Sequence, residues 1–498
     1  MLITILVYLA AMVGIGAVLA KQNQTTDDFY LGGRTLGPLV TAMSAEASDM
    51  SSWLLMGLPG VAYLSGTADA IGLAIGTYVN WLVVAKRLRN YTHVCGNSTT
   101  LPLFFSNRYR DNKRILSVIA ALLIIIFFVP YTASGFAACG KLFANLFGMD
   151  YLPAMLISAI VIVAYTTLGG FLAASTTDFV QSIVMTIAIV VVFGFGISKV
   201  GSFSAVMDNA KSMAGYFSLT HTHDVATGTA SPYSLLQIFS TLAWGLGYFG
   251  MPHVLLRFMA IGDANKLKLS RRVATVWVVI SMAVSVFIGV IGNAMTKAGV
   301  LPTLKDPETI ILVVADLISK HGVLATIIAG LILAGILAAT MSTADSQLLA
   351  ASSSASQNIL KEVFMKDMSE KTGMLIARIT VLVIALIGVF IARNPDSSVF
   401  QIVSFAWAGF GASFGPLVLL ALFWKRSTFQ GALCGMVSGG VMVFVWKFLI
   451  RPMGGALGIY ELLPAFLLGL AVNVIVSLLT PAPSREVQDE FDKVASMK

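Results

Sequence analysis

The chain has 498 residues, 57% of them hydrophobic and only 11% charged, and a formal net charge of +8. Soluble domains carry roughly 25% charged residues, so this composition, with a mean hydropathy of +0.86, excludes a soluble enzyme or binding module. It reads as an all-α polytopic membrane protein in one integrated domain. Apolar runs of about 20 residues, enough to cross a ~30 Å hydrocarbon core, recur from end to end. Thirteen spans are expected, at 2–20, 37–64, 67–85, 115–145, 152–171, 177–198, 233–258, 272–297, 321–357, 374–392, 397–424, 429–449 and 459–480. The first resembles a signal peptide at Val18, Leu19 and Ala20, but its basic residue, Lys21, follows the apolar run. It is expected to stay.

Basic residues orient the bundle. With the N-terminus outside, 23 of the 32 Lys and Arg fall in inner loops, Arg34, Arg257 and the C-terminal tail among them. This accounts for the net charge by topology and calls for no nucleic acid. The longest polar stretch, about 201–231, lies outside and begins with a short surface helix, Phe203 to Phe217. The three cysteines and five histidines are scattered, without metal-ligand spacing. The tail 481–498 is too short for an output domain, and no obligate protein partner is implied.

Two spans have the wrong interior for a plain helix. The second holds "SAEASDMSSWLLMGLPG", Ser44 to Gly60, with Glu46 and Asp49 at membrane depth. Intramembrane carboxylates mark substrate or ion paths. The seventh holds "AWGLGYFGMPHVLLRF", with Gly245, Gly247, Gly250 and Pro252 close together, which favours unwinding. Broken helices at this depth are tolerated where they line a cavity or are buried in protein. The two spans are five apart and so cross in opposite directions, as corresponding spans of inverted repeats do.

The segments "YLGGRTLGP", "SAEASDMSSWLLMGLPG", "TTDFVQ", "WGLGYFGMPHVLLRFMA", "AATMSTADSQLL" and "WAGFGASFGP" follow in order along the chain. Together they resemble the sodium/solute symporter family, and the second and fourth its proline branch. The resemblance implies a LeuT-type five-plus-five inverted repeat, with residues 37–198 and 233–424 as the two halves. One helix (1–20) would precede them and two (429–480) follow. It implies a multi-pass protein of the cytoplasmic membrane that imports L-proline with sodium (Na+), the co-transported ion.

A sodium ion wants five or six hard oxygens. By resemblance it would take the carbonyls of Ala47, Met50 and Ala339 and the hydroxyls of Ser342 and Thr343, although serine and threonine in membrane helices often bond only to the i−4 carbonyl. Asp49 would support this site or cap the second half-helix. The half-helix that begins near Ser51, Ser52 and Trp53 offers free N–H groups to a carboxylate. Trp244 and Tyr248, four apart, share a helical face suited to a pyrrolidine ring and its ammonium. Those two residues with Pro252, and more weakly Tyr131, are expected to line the substrate site. Asp178 is expected to cap the inner start of span six or to lie on the ion's exit path. Gly411 and Gly415 read as close helix packing.

The chain departs from the family's pattern at Glu46 and Ser52, where that pattern has glycine. Glu46 leaves proton coupling open, unless its side chain turns to a basic residue at the inner surface. Another small amino acid or carboxylate remains the alternative substrate. A channel would need a continuous polar pore, and a membrane enzyme a catalytic constellation that the sequence does not offer.

Overall fold

Within hydrocarbon, every backbone N–H and C=O must find a partner inside its own segment, so the apolar runs form helices. The computed structural model describes residues 1–66, 69–216, 218–365, 367–394 and 399–497. Lys366 and Lys498, both assigned inside, fall outside them. So do Phe217 and the first residues of the spans expected at 67–85 and 397–424.

Nine helices among the described residues are long and apolar enough to cross a membrane. The first, α1 (Leu2–Leu19), is an integral part of the bundle. Its Gly16 lies against Tyr165, and the Tyr8 hydroxyl accepts from Gln181 at 3.1 Å.

Thirteen continuous helices do not appear, because several spans are interrupted and two are fused. The second span is α2 (Pro38–Ser52), a π turn at Trp53–Gly57 and α3 (Leu58–Ser65). The third is α4 (Asp69–Val79), a π turn at Asn80–Val84 and α5 (Ala85–Val94). Next come α6 (Ile115–Phe147) and α7 (Tyr151–Val200). At 1.5 Å per residue α7 would run ~75 Å if straight, more than twice a ~30 Å core. It turns at Gly170, whose φ of +59° and close approach to Phe29 leave no room for a Cβ. Its two arms are the spans expected at 152–171 and 177–198.

The connection expected outside holds α8 (Phe203–Ser212), the expected surface helix, and a hairpin pairing His221–His223 with Ala230–Pro232. The seventh span is α9 (Leu235–Leu242), a 3-10 segment at Ala243–Gly250 and α10 (Pro252–Ala260). Then follow α11 (Leu267–Lys297), α12 (Ile310–Ser319) and α13 (Val323–Ser353). The last spans are α14 (Glu370–Ala392), α15 (Val399–Phe423), α16 (Phe429–Val445) and α17 (Leu462–Leu479).

The tail forms a helix, α18 (Arg485–Ser496), which buries Val487, Phe491 and Val494. Phe491 lies under the guanidinium groups of Arg87 (4.9 Å) and Arg108 (5.5 Å), and Glu490 pairs with Arg110 at 2.9 Å.

The interrupted parts of the second and seventh spans lie against each other, with Tyr248 bonded to Asp49. In α2 the helical run ends at Met50, because Ser51 has φ +48° and ψ −171°. Few residues other than glycine adopt that conformation, and strain of this kind gathers at functional sites. The Ser51 hydroxyl accepts the N–H of Trp53 at 3.1 Å and so caps the second half of the span. In the seventh span the chain is extended at Met251, and Pro252 restarts the helix at its first turn, where its missing N–H costs nothing. Gly247 lets the ring of Trp407 approach the backbone, and Gly411 of α15 rests on Gly247 in turn.

Candidate ion and substrate sites

The last four carbonyls of a helix lack intrahelical partners, and in α2 these belong to residues 47 to 50. One of them meets α13. The Ser342 hydroxyl donates to the Ala47 carbonyl at 2.8 Å and to the Ala339 carbonyl at 3.2 Å. The Thr343 hydroxyl donates to Ala339 at 3.1 Å. All four residues are buried. Hydroxyls that reach carbonyls can rotate and present their lone pairs to a hard cation. Of the five expected ligands, Ala47, Ala339, Ser342 and Thr343 therefore stand together. Met50 does not join them through these bonds. Its carbonyl accepts from Trp53, and the residue lines the neighbouring cavity.

That cavity is narrow and lies between the second and seventh spans. Asp49, Met50, Trp53, Tyr131, Trp244 and Tyr248 line it, with Leu73, Met282, Val403 and Trp407. Tyr248 donates to Asp49 Oδ2 at 2.6 Å and meets Trp407 edge-on at 4.9 Å. The Trp407 indole donates to the Trp244 carbonyl at 2.8 Å. The Tyr131 hydroxyl and two further buried polar atoms in the wall, Asp49 Oδ1 and Trp53 Nε1, have no hydrogen-bond partner among the described residues. Asp49 Oδ1 is an acceptor suited to an ammonium and Trp53 Nε1 a donor suited to a carboxylate.

Several expectations are corrected here. Asp49 does not cap the second half-helix, because Ser51 does; its carboxylate holds Tyr248 in the cavity wall instead. Ser51, Ser52 and Pro252 are buried at the two breaks and do not line the cavity, since Ser51 turns the chain, Ser52 resumes the helix and Pro252 starts α10. Trp407 was missed. Its indole N–H in an apolar span had to find an acceptor, and that was the available signal.

Beyond the cavity, a wider vestibule of about 1060 Å³ is lined by Ser240, Phe400, Ser404, Arg451 and Tyr460 among others. Trp244 faces both spaces.

One turn along α13 from the hydroxyl pair, Ser346 donates to the Ser342 carbonyl at 3.0 Å. It also accepts from Arg257, whose guanidinium pairs with Asp178 at 3.1 Å and donates to Ser44 at 3.0 Å. Both charged residues are buried, at 1% and 0% exposure. Asp178 does not cap a helix, because α7 runs unbroken through it and leaves no free N–H groups there. Arg257 is not a loop charge that sets topology; it neutralises Asp178 inside the bundle. Asp345 joins the network through Ser346 at 2.9 Å and Tyr165 at 2.8 Å.

The Sodium:solute symporter family model matches residues 29–439. The chain belongs to that family. It is 41% identical to the sodium/proline symporter of Escherichia coli (strain K12), covering 99% of this chain and 95% of that one. It is 40% identical to the osmoregulated proline transporter OpuE of Bacillus subtilis (strain 168), covering 97% and 96%. Among solved structures, a Na+-coupled sialic acid symporter in its substrate-bound outward-open state superimposes with a TM-score of 0.80 at 19% identity, covering 97% of this chain and 98% of that one. At that identity the likeness speaks for the fold alone, a LeuT-type bundle.

In this symporter Glu46 is buried and accepts from the Trp81 indole at 2.6 Å. It does not reach a basic residue at the inner surface, because Trp81 on the third span's π turn stands closer and already supplies a donor. Arg34 is more than an inner-surface charge. It donates to the carbonyls of Ser98 and Met259 and to Asn97, and so ties the start of the bundle to the end of α10.

Proposed function

We propose that this chain imports L-proline with sodium by alternating access, and that transport rather than catalysis is its whole activity. The protein lies in the cytoplasmic membrane, crosses it thirteen times, and has its N-terminus outside and its tail in the cytoplasm. The repeats are 37–198 and 233–424.

The observation that carries this reading is the single break in α2. On one side of it the Ala47 carbonyl meets Ser342, and three and six residues on, Met50 and Trp53 line the aromatic cavity. Sodium binding orders the carbonyl end of the break, and the same ordering presents Asp49 Oδ1 and Trp53 Nε1 to the ammonium and carboxylate of proline. Coupling follows because the ion favours the substrate-competent state, and a ligand without such a preference shifts nothing. The ion then leaves inward past Ser346 and Asp178.

The test is uptake of labelled proline into proteoliposomes. A sodium gradient drives accumulation, and an inward pH gradient with sodium rigorously absent drives none. Accumulation under the pH gradient alone would assign the coupling to protons.

A further inference from the structure

A stack of three rings separates the cavity from the outer vestibule. Trp53 lines the cavity, Tyr460 lines the vestibule, and Trp244 lines both. Trp244 stacks on Trp53 with ring centroids 6.3 Å apart and on Tyr460 at 4.7 Å, with interplanar angles of 28° and 17°. Tyr460 comes from neither interrupted span. It sits in the connection between α16 and α17, where two bonds hold it. Its backbone N–H donates to Ser240 of α9 at 2.8 Å, and its hydroxyl donates to the Ser404 carbonyl of α15 at 2.6 Å.

Trp244 cannot yield by moving its backbone, because Trp407 holds its carbonyl. Passage from vestibule to cavity therefore requires the Trp244 ring to swing, and on the vestibule side the Tyr460 ring lies against it. We infer that Tyr460 is the outer latch of the cavity, a positioning residue that keeps Trp244 seated until the segment between α16 and α17 withdraws. The last two helices, which lie outside the repeats, thereby acquire a part in transport. An aromatic pair and a buried hydrogen bond together shift such a two-state balance by roughly tenfold.

The inference rests on the cavity being the substrate site, but its test reads access alone. Leu73→Cys places a thiol in the cavity wall, and Cys434→Ser removes the exposed native thiol. In right-side-out vesicles, a membrane-impermeant maleimide added outside should label this reporter about tenfold faster when Tyr460→Ala is introduced, and about threefold faster with Tyr460→Phe, which loses only the bond to Ser404. Cys139, buried between helices, reports whether the fold has opened. An unchanged rate in Tyr460→Ala with Cys139 unlabelled overturns the latch. If Cys139 reacts in that variant, Tyr460→Phe decides, and a rate equal to the parent's overturns it. Sodium-driven proline uptake by the unmodified protein, run beside it, tests the function separately.

Discussion

Ser342 and Thr343 are adjacent buried hydroxyls on α13, and each has a backbone carbonyl within reach. A hard-cation site cannot lose two of about five oxygens cheaply. Ser342→Ala combined with Thr343→Ala should abolish sodium-driven uptake while the protein still inserts, as surface expression and uptake measured together would establish. On the substrate side, Trp244→Ala and Tyr248→Ala each remove an aromatic wall from the cavity. Proline affinity should fall far more than sodium affinity, and titration calorimetry with each ligand separates the two. These residues were legible because hydroxyl or aromatic side chains at helical spacing leave a mark in the sequence. Trp407 and the Asp178–Arg257 pair were not. Their partners lie 163 and 79 positions away, and Arg257 sits close enough to a loop to pass as a topology signal.

The interruption in the seventh span was readable from its density of glycine and proline, but the glycines do more than loosen the helix. A Cβ on Gly247 would collide with the Trp407 ring that holds Trp244. Gly247→Ala should therefore lower proline affinity at least tenfold. Gly194→Ala, where a Cβ meets open space, should leave it unchanged, and parallel binding isotherms would show the contrast. In the second span the new half-helix was expected to begin near Ser51, Ser52 and Trp53, and the chain turns there, at Ser51. Serine's own backbone preferences give no hint of that turn, and its place came from the resemblance alone. The π turn in the third span was illegible for a related reason, since Asn80–Val84 contains neither glycine nor proline.

At the scale of the whole bundle, the Asp178–Arg257 pair joins α7 and α10, with Ser44 of α2 and Ser346 of α13 bonded to it. Removing one partner of a buried pair strands the other, at a cost of about 3–5 kcal/mol. Asp178→Asn and Arg257→Met should each lower thermal stability by that order, and the double variant by less than their sum, in a double-mutant cycle followed by unfolding in detergent. The bundle's class and its two weak points were readable from hydropathy and glycine placement, whereas the ties between its helices depend on contacts across hundreds of residues. The docked tail is such a tie. Phe491→Ala should cost about 2–3 kcal/mol, as burial of a large apolar side chain implies. Lys425→Ala, which breaks an exposed pair with Asp492, should cost under about 1 kcal/mol.

The same tail sets an order in time. Tyr91 and Arg108 leave the ribosome roughly 400 residues before Phe491, and at about 5–20 residues per second that delay lasts roughly 20–80 s. Throughout it, the ends of the early helices at Tyr91 and Arg108 stand without the ring that later covers them. That face of the protein is thus completed by residues made long after its early helices, and a ribosome that stalls before Phe491 leaves early helices in place with that face still open.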